Sequence, residues 1–388
     1  VGKYGGSLKD IRIDDLSSFV LKAIVERAGI DPAVVEDVLW GCANQAGEDN
    51  RNLGRMAVLL AGFPQRVPGT TINRLCGSSL DAVNLAARAI WSADHDVLIA
   101  GGGESMTRAP YVLPKNVSGQ PLFGNLSAYD TALGWRFPNP RMEKLFPLES
   151  MGETAENVAE QWKISREDQD RFAFRSHQRA VRAQAGGIFD FEILPVNIPQ
   201  KKGDALVMTR DDGPRPDTTM EKLAALPPVF RKPGTVTAGN SSSLNDGAAA
   251  VVMMSEAKAK GFGITPLARI VATGIAGVDP RFMGMGPVPA TQMALKKAGL
   301  SIKDIGIVEL NEAFASQSLA VMRELDLNPD IVNPNGGAIA LGHPLGCSGA
   351  RIMTTLVHEM KRKNIRYGLA TMCIGVGQGI TTIVERMS

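Results

Sequence analysis

Apolar residues follow two patterns that alternate along the chain. Nearly continuous apolar runs, such as DVLIAGGG from residue 96, AAAVVMMS from residue 248 and LATMCIGVGQGITTIV from residue 369, are typical of strands covered on both faces. Between such runs lie stretches with helical spacing of apolar positions, for example LSSFVLKAIVERA from Leu16. This alternation of buried strands and helices predicts an α/β fold.

One order of elements occurs twice. LSSFVLKAIVERAGIDPAVVEDVLWG from Leu16 and ATQMALKKAGLSIKDIGIVELNEA from Ala290 each predict a helix, an Ala-Gly turn and a strand. The two turns lie about 270 residues apart, and at nearly the same offset CGSSLDAV from Cys76 pairs with CSGARIMT from Cys347. DVLIAGG from Asp96 and YGLATMC from Tyr367 repeat the offset. We infer two copies of one β/α unit.

The segment between the copies differs in composition. Residues 107–235 are rich in Pro, Gly, Asn and aromatic residues, and they include one long helical pattern, GETAENVAEQWKISREDQDRFAFRSHQRAVRAQ. We expect an inserted loop domain that serves as a lid or binds a ligand. The predicted domains are 1–106, completed by about 236–258, for the N-terminal core half, 107–235 for the insertion and 259–388 for the C-terminal core half.

The bulk composition bounds the class of protein. The 388 residues carry a net charge of +2, with 44% hydrophobic and 21% charged residues, which is ordinary for a soluble protein and predicts no nucleic-acid partner. The longest apolar runs are too short to predict a membrane span. Four scattered cysteines without Cys-x-x-Cys spacing argue against a zinc site or a disulfide framework, and favour a reducing, cytoplasmic location. Because the chain starts on Val1 in a loop-like VGKYGG, we expect residues to be missing before it, and these could include an organellar targeting segment.

Cys76 has unusual surroundings. In TTINRLCGSSLDAVNLAARAI it lies between an extended run and an alanine-rich helical pattern, directly before Gly77, Ser78 and Ser79. Small residues permit a sharp turn and the close approach of another molecule, and a helix N-terminus favours a thiolate. From this stretch alone, an activated nucleophile and a small buried core residue are equally good interpretations.

Five motifs carry a family resemblance. In chain order they are NRLCGSSL, GTVTAGNSSSLNDGAAA, NEAFA, GGAIALGHPLGCSGAR and CIGVGQG. Together they resemble the thiolase family, on its degradative, acetyl-CoA C-acyltransferase side. The resemblance implies a layered α-β-α-β-α core of two repeated halves with an inserted loop domain. It also implies an enzyme of the kind used in fatty acid β-oxidation, which cleaves 3-ketoacyl-CoA with CoA to acetyl-CoA and a shortened acyl-CoA through an acyl-cysteine.

Cleavage of a carbon–carbon bond beside a ketone requires a nucleophile, a base, a proton donor and donors to the carbonyl oxygens. The resemblance assigns Cys76 as the nucleophile, His343 as its base, and Cys373 as the thiol that moves a proton at the α-carbon. Asn311 would hold a water that forms one oxyanion hole with His343. The backbone N–H groups of Cys76 and Gly375 would form another.

Coenzyme A is the implied co-substrate, and we expect no permanently bound cofactor and no metal. The resemblance assigns these residues to CoA or substrate binding: Arg215, Ala238, Ser241, Ser242, Phe314, Met151 and Met283. It also implies a homodimer or homotetramer. Other residues of the catalytic types are expected to be structural or solvated: Cys42 in the core, Cys347 near the site without a role, and His95, His177 and His358 in solvent.

Several alternatives stay open. LGWRF, NP and SMGETAENVAE resemble degradative relatives that include those acting on 3-oxoadipyl-CoA, which makes a 3-oxoadipyl-CoA thiolase one alternative. A biosynthetic acetoacetyl-CoA thiolase is another, although Ser150 replaces the histidine of those members. A condensing ketoacyl synthase would pair its cysteine with two histidines, or with His and Asn, rather than with Cys373. A non-catalytic lipid-binding or scaffold protein with the same fold would have no unusually reactive thiol.

Overall fold

The computed structural model describes residues 1–117, 119, 123–200 and 203–387, so the predicted insertion 107–235 includes positions outside the described part. The helices are α1 (Ile13–Ala28), α2 (Leu53–Leu60), α3 (Ser78–Trp91), α4 (Pro140–Leu145), α5 (Met151–Gln161), α6 (Arg166–Ala185), α7 (Met220–Ala224), α8 (Glu256–Gly261), α9 (Pro287–Ala298), α10 (Ala315–Glu324), α11 (Ala338–Leu341) and α12 (Ser348–Lys363). The strands are β1 (Gly2–Lys3), β2 (Asp37–Gly41), β3 (Thr70–Ile72), β4 (Val97–Ser105), β5 (Tyr111–Val112), β6 (Tyr129–Asp130), β7 (Val196–Ile198), β8 (Leu206–Met208), β9 (Asn245–Met254), β10 (Ala268–Gly277), β11 (Ile307–Leu310), β12 (Tyr367–Ile374) and β13 (Gln378–Arg386). None of these described helices is long and apolar enough to cross a membrane.

Four strands of the first mixed sheet follow the same order as the four strands of the second, and β3 is an additional strand at the edge of the first. The first is β1-β9-β4-β2-β3 and the second is β10-β13-β12-β11. In each sheet the two strands of the repeated unit pair in parallel, β2 with β4 and β11 with β12. A later strand then adds in antiparallel orientation, β9 to β4 and β13 to β12. The predicted pair of β/α copies is confirmed.

The helix ends repeat as well. α1 and α9 both end at a glycine with φ 66°, Gly29 and Gly299, a left-handed conformation that favours glycine. α3 begins at Ser78 and α12 at Ser348, so these serines correspond. In that register Cys347 corresponds to Gly77. The predicted pairing of Cys347 with Cys76 is therefore wrong by one residue.

α3 and α12 form the middle layer between the sheets. Leu80 and Val83 of α3 share one buried cluster with Ile352 and Leu356 of α12 and with residues of β4, β12 and β13. A Cβ at Gly349 would lie 2.2 Å from the backbone nitrogen of Leu80, so only glycine permits this helix contact. α1 and α2 cover the outer face of the first sheet, and α9 and α10 cover that of the second. The five predicted layers are thus present.

Three details differ from the sequence-based expectation. LATMCIGVGQGITTIV is a hairpin, in which β12 and β13 pair on either side of residues 375–377. The long helical pattern divides into α5 and α6, because Lys163 adopts φ 52° and the Ser165 side chain caps the second helix. AAAVVMMS is only half-buried, because just the two-residue β1 lies beyond β9 in the sheet.

The helices of the insertion pack onto the C-terminal half. Val158 of α5 and Phe172 of α6 share a core cluster with Val308 of β11 and Ala315 of α10. Between β4 and β9 the described residues also form two antiparallel strand pairs, β5–β6 and β7–β8, and the short helices α4 and α7. This packing brings the start of α5 to the edge of the second sheet at which β11 and β12 end.

Candidate active site

Two of the predicted catalytic residues lie at the carboxyl ends of neighbouring parallel strands. β11 and β12 pair with Leu310 opposite Thr371, so Asn311, directly after β11, lies near Cys373, the last but one residue of β12. Cys76 lies in the turn before α3, and this turn touches the end of β12: a Cβ at Gly77 would lie 2.6 Å from Cδ1 of Ile374. The two thiols therefore come from the two halves and meet at the sheet end.

The Cys76 thiol is half-buried, whereas the other three thiols are buried. Burial raises the pKa of Cys76 to about 11, and the backbone N–H groups of Gly375 and of Cys76 itself oppose that shift. The thiol needs a base, and its sulfur lies beside the two N–H groups predicted to form an oxyanion hole.

Cys373 is sealed from solvent. Its side chain is buried, and burial together with the charge of an ionised Cys76 raises the pKa of the Cys373 thiol well above the ordinary value. The second cause requires the two sulfurs to be close. A thiol of this kind carries its proton at neutral pH and can donate it to a carbanion.

His343 is held by three polar contacts. Its backbone N–H donates to Asn245 Oδ1 at 2.9 Å, its Nδ1 lies 2.6 Å from Ser348 Oγ, and its Nε2 lies 3.4 Å from Asn311 Nδ2. Burial, assisted by the positive charge of Arg351, lowers the pKa of His343 to about 3. The imidazole is therefore neutral at physiological pH, as a base must be.

Asn311 is fully buried beside this histidine. Its backbone N–H donates to the Thr371 carbonyl at 3.0 Å, which fixes the residue at the end of β11. Its side-chain Oδ1 is buried and has no hydrogen-bond partner among the described residues. A buried amide oxygen without a partner is costly, so the site is suited to receive a water or a polar substrate group.

Three of the predicted substrate-binding residues surround Cys373. Met151, Met283 and Phe314 belong to one apolar cluster with Cys373. A Cβ at Gly375 would lie 3.4 Å from the sulfur of Met151, so this methionine also contacts the hairpin turn. Sequence motifs from three parts of the chain thus form one apolar wall beside the second thiol.

Ser241 and Ser242 lie against the residues that follow Asn311. The backbone N–H of Ser242 donates to the Ala313 carbonyl at 2.9 Å, and Ser241 forms an isolated β-bridge with Phe314. Ala238 is exposed in the same loop. The predicted CoA-binding loop and the apolar wall are therefore adjacent.

No described contact brings Arg215 to the predicted catalytic residues or to the loop of Ser241 and Ser242, and its side chain is exposed. Its backbone N–H donates to His177 Nδ1 at 3.2 Å. The prediction that His177 is solvated is wrong: it is 6% exposed, and burial, followed by the charge of Arg215, lowers its pKa to about 4. His95 and His358 are half-buried.

Glu104 is a site residue that sequence reasoning missed. Its carboxylate accepts the backbone N–H groups of Ala43 at 2.8 Å, Asn44 at 3.1 Å and Gly346 at 2.8 Å, so it ties the loop after β2 to the loop of His343. Burial raises its pKa to about 7. A charged residue inside the apolar run DVLIAGGGES was the available signal, since buried carboxylates need partners.

Cys42 is buried, as expected, and lies beside two carboxylates. Potential ligand atoms of Cys42, Asp49 and Glu104 lie within 4.8 Å of one another, which is close enough for a metal ion. However, Asp49 accepts backbone N–H groups of Gln45 and Gly47, and Glu104 accepts three others. These bonds show that both carboxylates anchor the backbone of the surrounding loops.

A small, mainly apolar pocket lies beside Met151 and Val376. Its lining includes Trp135, Met151, Pro280 and Val376. Val376 directly follows Gly375 and adopts φ 63°, a conformation that β-branched residues rarely take. A strained backbone at a residue that lines a pocket and directly follows Gly375 is consistent with a functional constraint.

Comparison with known families covers nearly the whole chain. Residues 1–257 match the family described as "Thiolase, N-terminal domain", and residues 264–386 match "Thiolase, C-terminal domain". The chain belongs to the thiolase family. The resemblance carried by the five motifs is therefore confirmed, and this thiolase is an acyltransferase of a family that uses CoA as a substrate.

Individual relatives match over nearly their full length. A protein of Escherichia coli strain K12 named 3-oxoadipyl-CoA/3-oxo-5,6-dehydrosuberyl-CoA thiolase is 57% identical over 390 residues, which cover 100% of this chain and 97% of that protein. A Beta-ketoadipyl-CoA thiolase of Pseudomonas aeruginosa is 54% identical, with 100% and 96% covered. Among solved structures, human mitochondrial 3-ketoacyl-CoA thiolase in complex with CoA has a TM-score of 0.92 at 44% identity, with 100% of this chain and 95% of that chain covered. The acetyl-CoA acetyltransferase of Bacillus anthracis has the same TM-score at 45% identity, with 99% and 95% covered.

Proposed function

We propose that this thiolase cleaves 3-oxoadipyl-CoA with CoA to give acetyl-CoA and succinyl-CoA. The observation that carries the proposal is that relatives named for this substrate are 57% and 54% identical over the whole chain. The human 3-ketoacyl-CoA thiolase and the Bacillus acetyltransferase are 44% and 45% identical. The alternative reading of the sequence is thus favoured over a thiolase of fatty acid β-oxidation.

In the first half-reaction, Cys76 gives its thiol proton to Nε2 of His343, and its sulfur bonds to the keto carbon C3. The N–H groups of Cys76 and Gly375 stabilise the negative oxygen that forms. The C2–C3 bond then breaks, and its electron pair stays on the acetyl-CoA fragment as an enolate, which is stabilised by His343 and by a water on Asn311. Cys373 gives its proton to C2, so that acetyl-CoA is released and a succinyl group remains on Cys76.

In the second half-reaction, the CoA thiol gives its proton to the Cys373 thiolate, and its sulfur attacks the succinyl carbonyl. The same two N–H groups receive the negative oxygen. The intermediate then releases the sulfur of Cys76, which recovers its proton from His343, and succinyl-CoA leaves. Burial, which raises the pKa of Cys373, suits this thiol to hold the proton between the two halves.

The loop of Ala238, Ser241 and Ser242 is proposed to line the channel of the CoA pantetheine, with Phe314 as its wall. The β-bridge between Ser241 and Phe314 and the hydrogen bond from Ser242 N–H to the Ala313 carbonyl support this. The insertion 107–235 is proposed as the domain that holds the nucleotide, through Arg215, whose exposed side chain is free to reach a phosphate.

The proposal includes a homodimer or homotetramer. Several large apolar side chains of the insertion are exposed, among them Tyr111 at 72%, Val117 at 93%, Phe123 at 101% and Leu145 at 69%. Such a concentration of apolar surface is typical of a region that binds another chain. Light scattering at micromolar concentration checks this, and a monomeric mass would contradict it.

The substrate proposal is tested by comparing thiolysis of 3-oxoadipyl-CoA with that of 3-oxohexanoyl-CoA, which has the same number of carbons and a methyl group in place of the terminal carboxylate. We expect the higher kcat/KM for 3-oxoadipyl-CoA. A preference for 3-oxohexanoyl-CoA would favour a β-oxidation thiolase, and a preference for acetoacetyl-CoA would favour the biosynthetic alternative. Turnover of none of the three would favour the non-catalytic alternative.

A further inference from the structure

On the side of His343 that faces away from Asn311, the ring nitrogen Nδ1 contacts a hydroxyl group. Ser348, the first residue of α12, is fully buried, and its Oγ lies 2.6 Å from His343 Nδ1. The same Oγ lies 2.8 Å from the carbonyl oxygen of Pro344. The hydroxyl therefore stands between a ring nitrogen, which can donate or accept, and a carbonyl, which can only accept.

The number of protons fixes the direction of both hydrogen bonds. A serine hydroxyl has one hydrogen, and an oxygen–oxygen distance of 2.8 Å to a carbonyl is favourable only if that hydrogen lies between the two atoms. Ser348 thus donates to Pro344, and a lone pair of its oxygen faces Nδ1 of His343. The hydrogen in the 2.6 Å contact must then belong to Nδ1.

The other end of the imidazole agrees with this direction. A neutral ring with hydrogen on Nδ1 has a lone pair on Nε2, and Nε2 faces the amide nitrogen of Asn311, a donor, at 3.4 Å. The opposite tautomer would place a donor against a donor there, and two acceptor oxygens against each other at Pro344. Both ends of the ring therefore favour hydrogen on Nδ1.

The repeated half of the molecule uses its serine in the same way. Ser78, which corresponds to Ser348 at the start of α3, donates from Oγ to the Leu75 carbonyl at 2.6 Å. Its oxygen accepts the backbone N–H of Arg74 at 2.9 Å. In both halves the hydroxyl donates back into its own turn and accepts an N–H. In the C-terminal half that N–H belongs to the histidine ring.

We propose that Ser348 is a positioning residue for His343, which holds a hydrogen on Nδ1 and thereby leaves Nε2 as the atom that accepts the thiol proton of Cys76. The proposal rests on the proposed role of His343 as the base. When Nε2 takes the proton, the ring becomes a buried cation, and the Ser348 oxygen remains hydrogen-bonded to its Nδ1–H. Ser348 thus also stabilises the charged form that exists while the Cys76 sulfur is a thiolate.

The tautomer can be measured in the unaltered protein, independently of activity. The chain has four histidines, so ¹⁵N-histidine labelling gives few signals, and the missing signals of a His343→Gln variant identify those of His343. We expect a neutral ring with hydrogen on Nδ1. A ring with hydrogen on Nε2 would overturn the proposal, even if the protein proves to be an active 3-oxoadipyl-CoA thiolase.

Variants then test the consequence for Cys76. In Ser348→Ala, alkylation of Cys76 by iodoacetamide at neutral pH should slow about 10- to 100-fold, the effect of losing a hydrogen bond to a charged group. We expect kcat for thiolysis to fall by a similar factor with KM nearly unchanged, and Ser348→Thr, which keeps the hydroxyl, to restore most of both rates. Alkylation is read on the Cys76 peptide by mass spectrometry, so it reports on the proposal even if thiolysis is absent.

Ser17→Ala is the matched control. Ser17 is equally buried, and its Oγ accepts a ring N–H from Trp40 Nε1 at 3.1 Å in the core of the N-terminal half. This variant should lose stability but keep the parental alkylation rate. A folded Ser348→Ala protein with parental alkylation, or a folded Ser348→Thr protein as slow as Ser348→Ala, would overturn the proposal. If Ser348→Ala does not fold, the tautomer of the unaltered protein decides.

Discussion

The starts of α3 and α12 have the same local structure but lie in different environments. Each begins with a serine whose hydroxyl donates into the preceding turn, and each has a cysteine within two residues before that serine. Cys76 is half-buried, and two N–H groups reach its sulfur, one of them from Gly375 of the other half. Cys347 is fully buried, and burial raises its pKa to about 12. We therefore expect the reactivity of each thiol to depend on what the neighbouring half supplies to the turn, rather than on the turn itself.

The largest expected effect tests this contrast directly. Cys76→Ala should abolish acylation by acetyl-CoA, because no other thiol has access to substrate and N–H donors together. Cys347→Ala should acquire the acetyl group at the parental rate, because its sulfur is sealed. The added acetyl mass on digested peptides measures both outcomes. Label on the Cys347 peptide of the parent would show that the two environments have been assigned the wrong way round.

The next effect separates Cys76 from Cys373. Cys373→Ala should still accept an acetyl group, although more slowly, but exchange of the acetyl-CoA methyl protons with deuterated water should fall by about 10²- to 10⁴-fold, the usual contribution of an acid–base group. Nuclear magnetic resonance of the acetyl-CoA methyl group follows the exchange. Normal exchange in a folded variant would mean that Cys373 only fills the core.

A smaller loss is expected at Asn311. Asn311→Ala removes the amide proposed to hold the water of the enolate's oxyanion hole, so methyl-proton exchange should slow by about 10²- to 10³-fold, the range for one such donor. Acetylation of Cys76 should continue, since the N–H groups that serve it are in the backbone. Equal loss of acetylation and exchange would point instead to a displaced His343, 3.4 Å away.

Sequence patterns predicted most of the fold, because the helical spacing of apolar residues and the continuous apolar runs both agree with the observed elements. Helical spacing and apolar runs predicted two β/α copies, and glycines at Gly29 and Gly299 marked the same helix end in both. The two errors have different causes. Burial of β9 depends on its place in the sheet, which local spacing does not encode. The division between α5 and α6 is local, because Lys163 adopts a positive φ and Ser165 caps α6, and the spacing of apolar residues does not report a cap.

The site was predictable where a motif resembles the family, and not where the role comes from distant contacts. His343 and Cys373 were assigned roles because GGAIALGHPLGCSGAR and CIGVGQG resemble thiolase motifs. Ser348 and Glu104 are ordinary residues in sequence, and their importance comes from His343 Nδ1 and from N–H groups at Ala43 and Gly346. His177 shows the converse, since charged neighbours on one helix suggested exposure while the fold buries it.

The smallest expected effect concerns the sealed thiol and depends on pH. Burial raises the pKa of Cys347 from 9.0 to about 12. Below pH 9 the thiol is neutral in the folded and unfolded chains, so it leaves the pH dependence of unfolding unchanged. Above pH 9 the thiol loses its proton in the unfolded chain but keeps it in the folded protein, so the free energy of unfolding declines as pH rises towards 12. The decline is at most about 1.4 kcal/mol per pH unit.

Cys347→Ala should therefore be less stable than the parent at pH 7, because a buried sulfur and its contacts are lost, by about 1–2 kcal/mol. The difference should shrink as pH rises above 9, because the variant has no thiol at this position to ionise on unfolding. Urea unfolding of parent and variant at several pH values between 7 and 10.5 measures the difference, and other titrating groups cancel in it. A difference that stays constant across this range would mean that the Cys347 thiol ionises as readily in the folded protein as in the unfolded chain, and the contrast between the two turns would then lose its electrostatic basis.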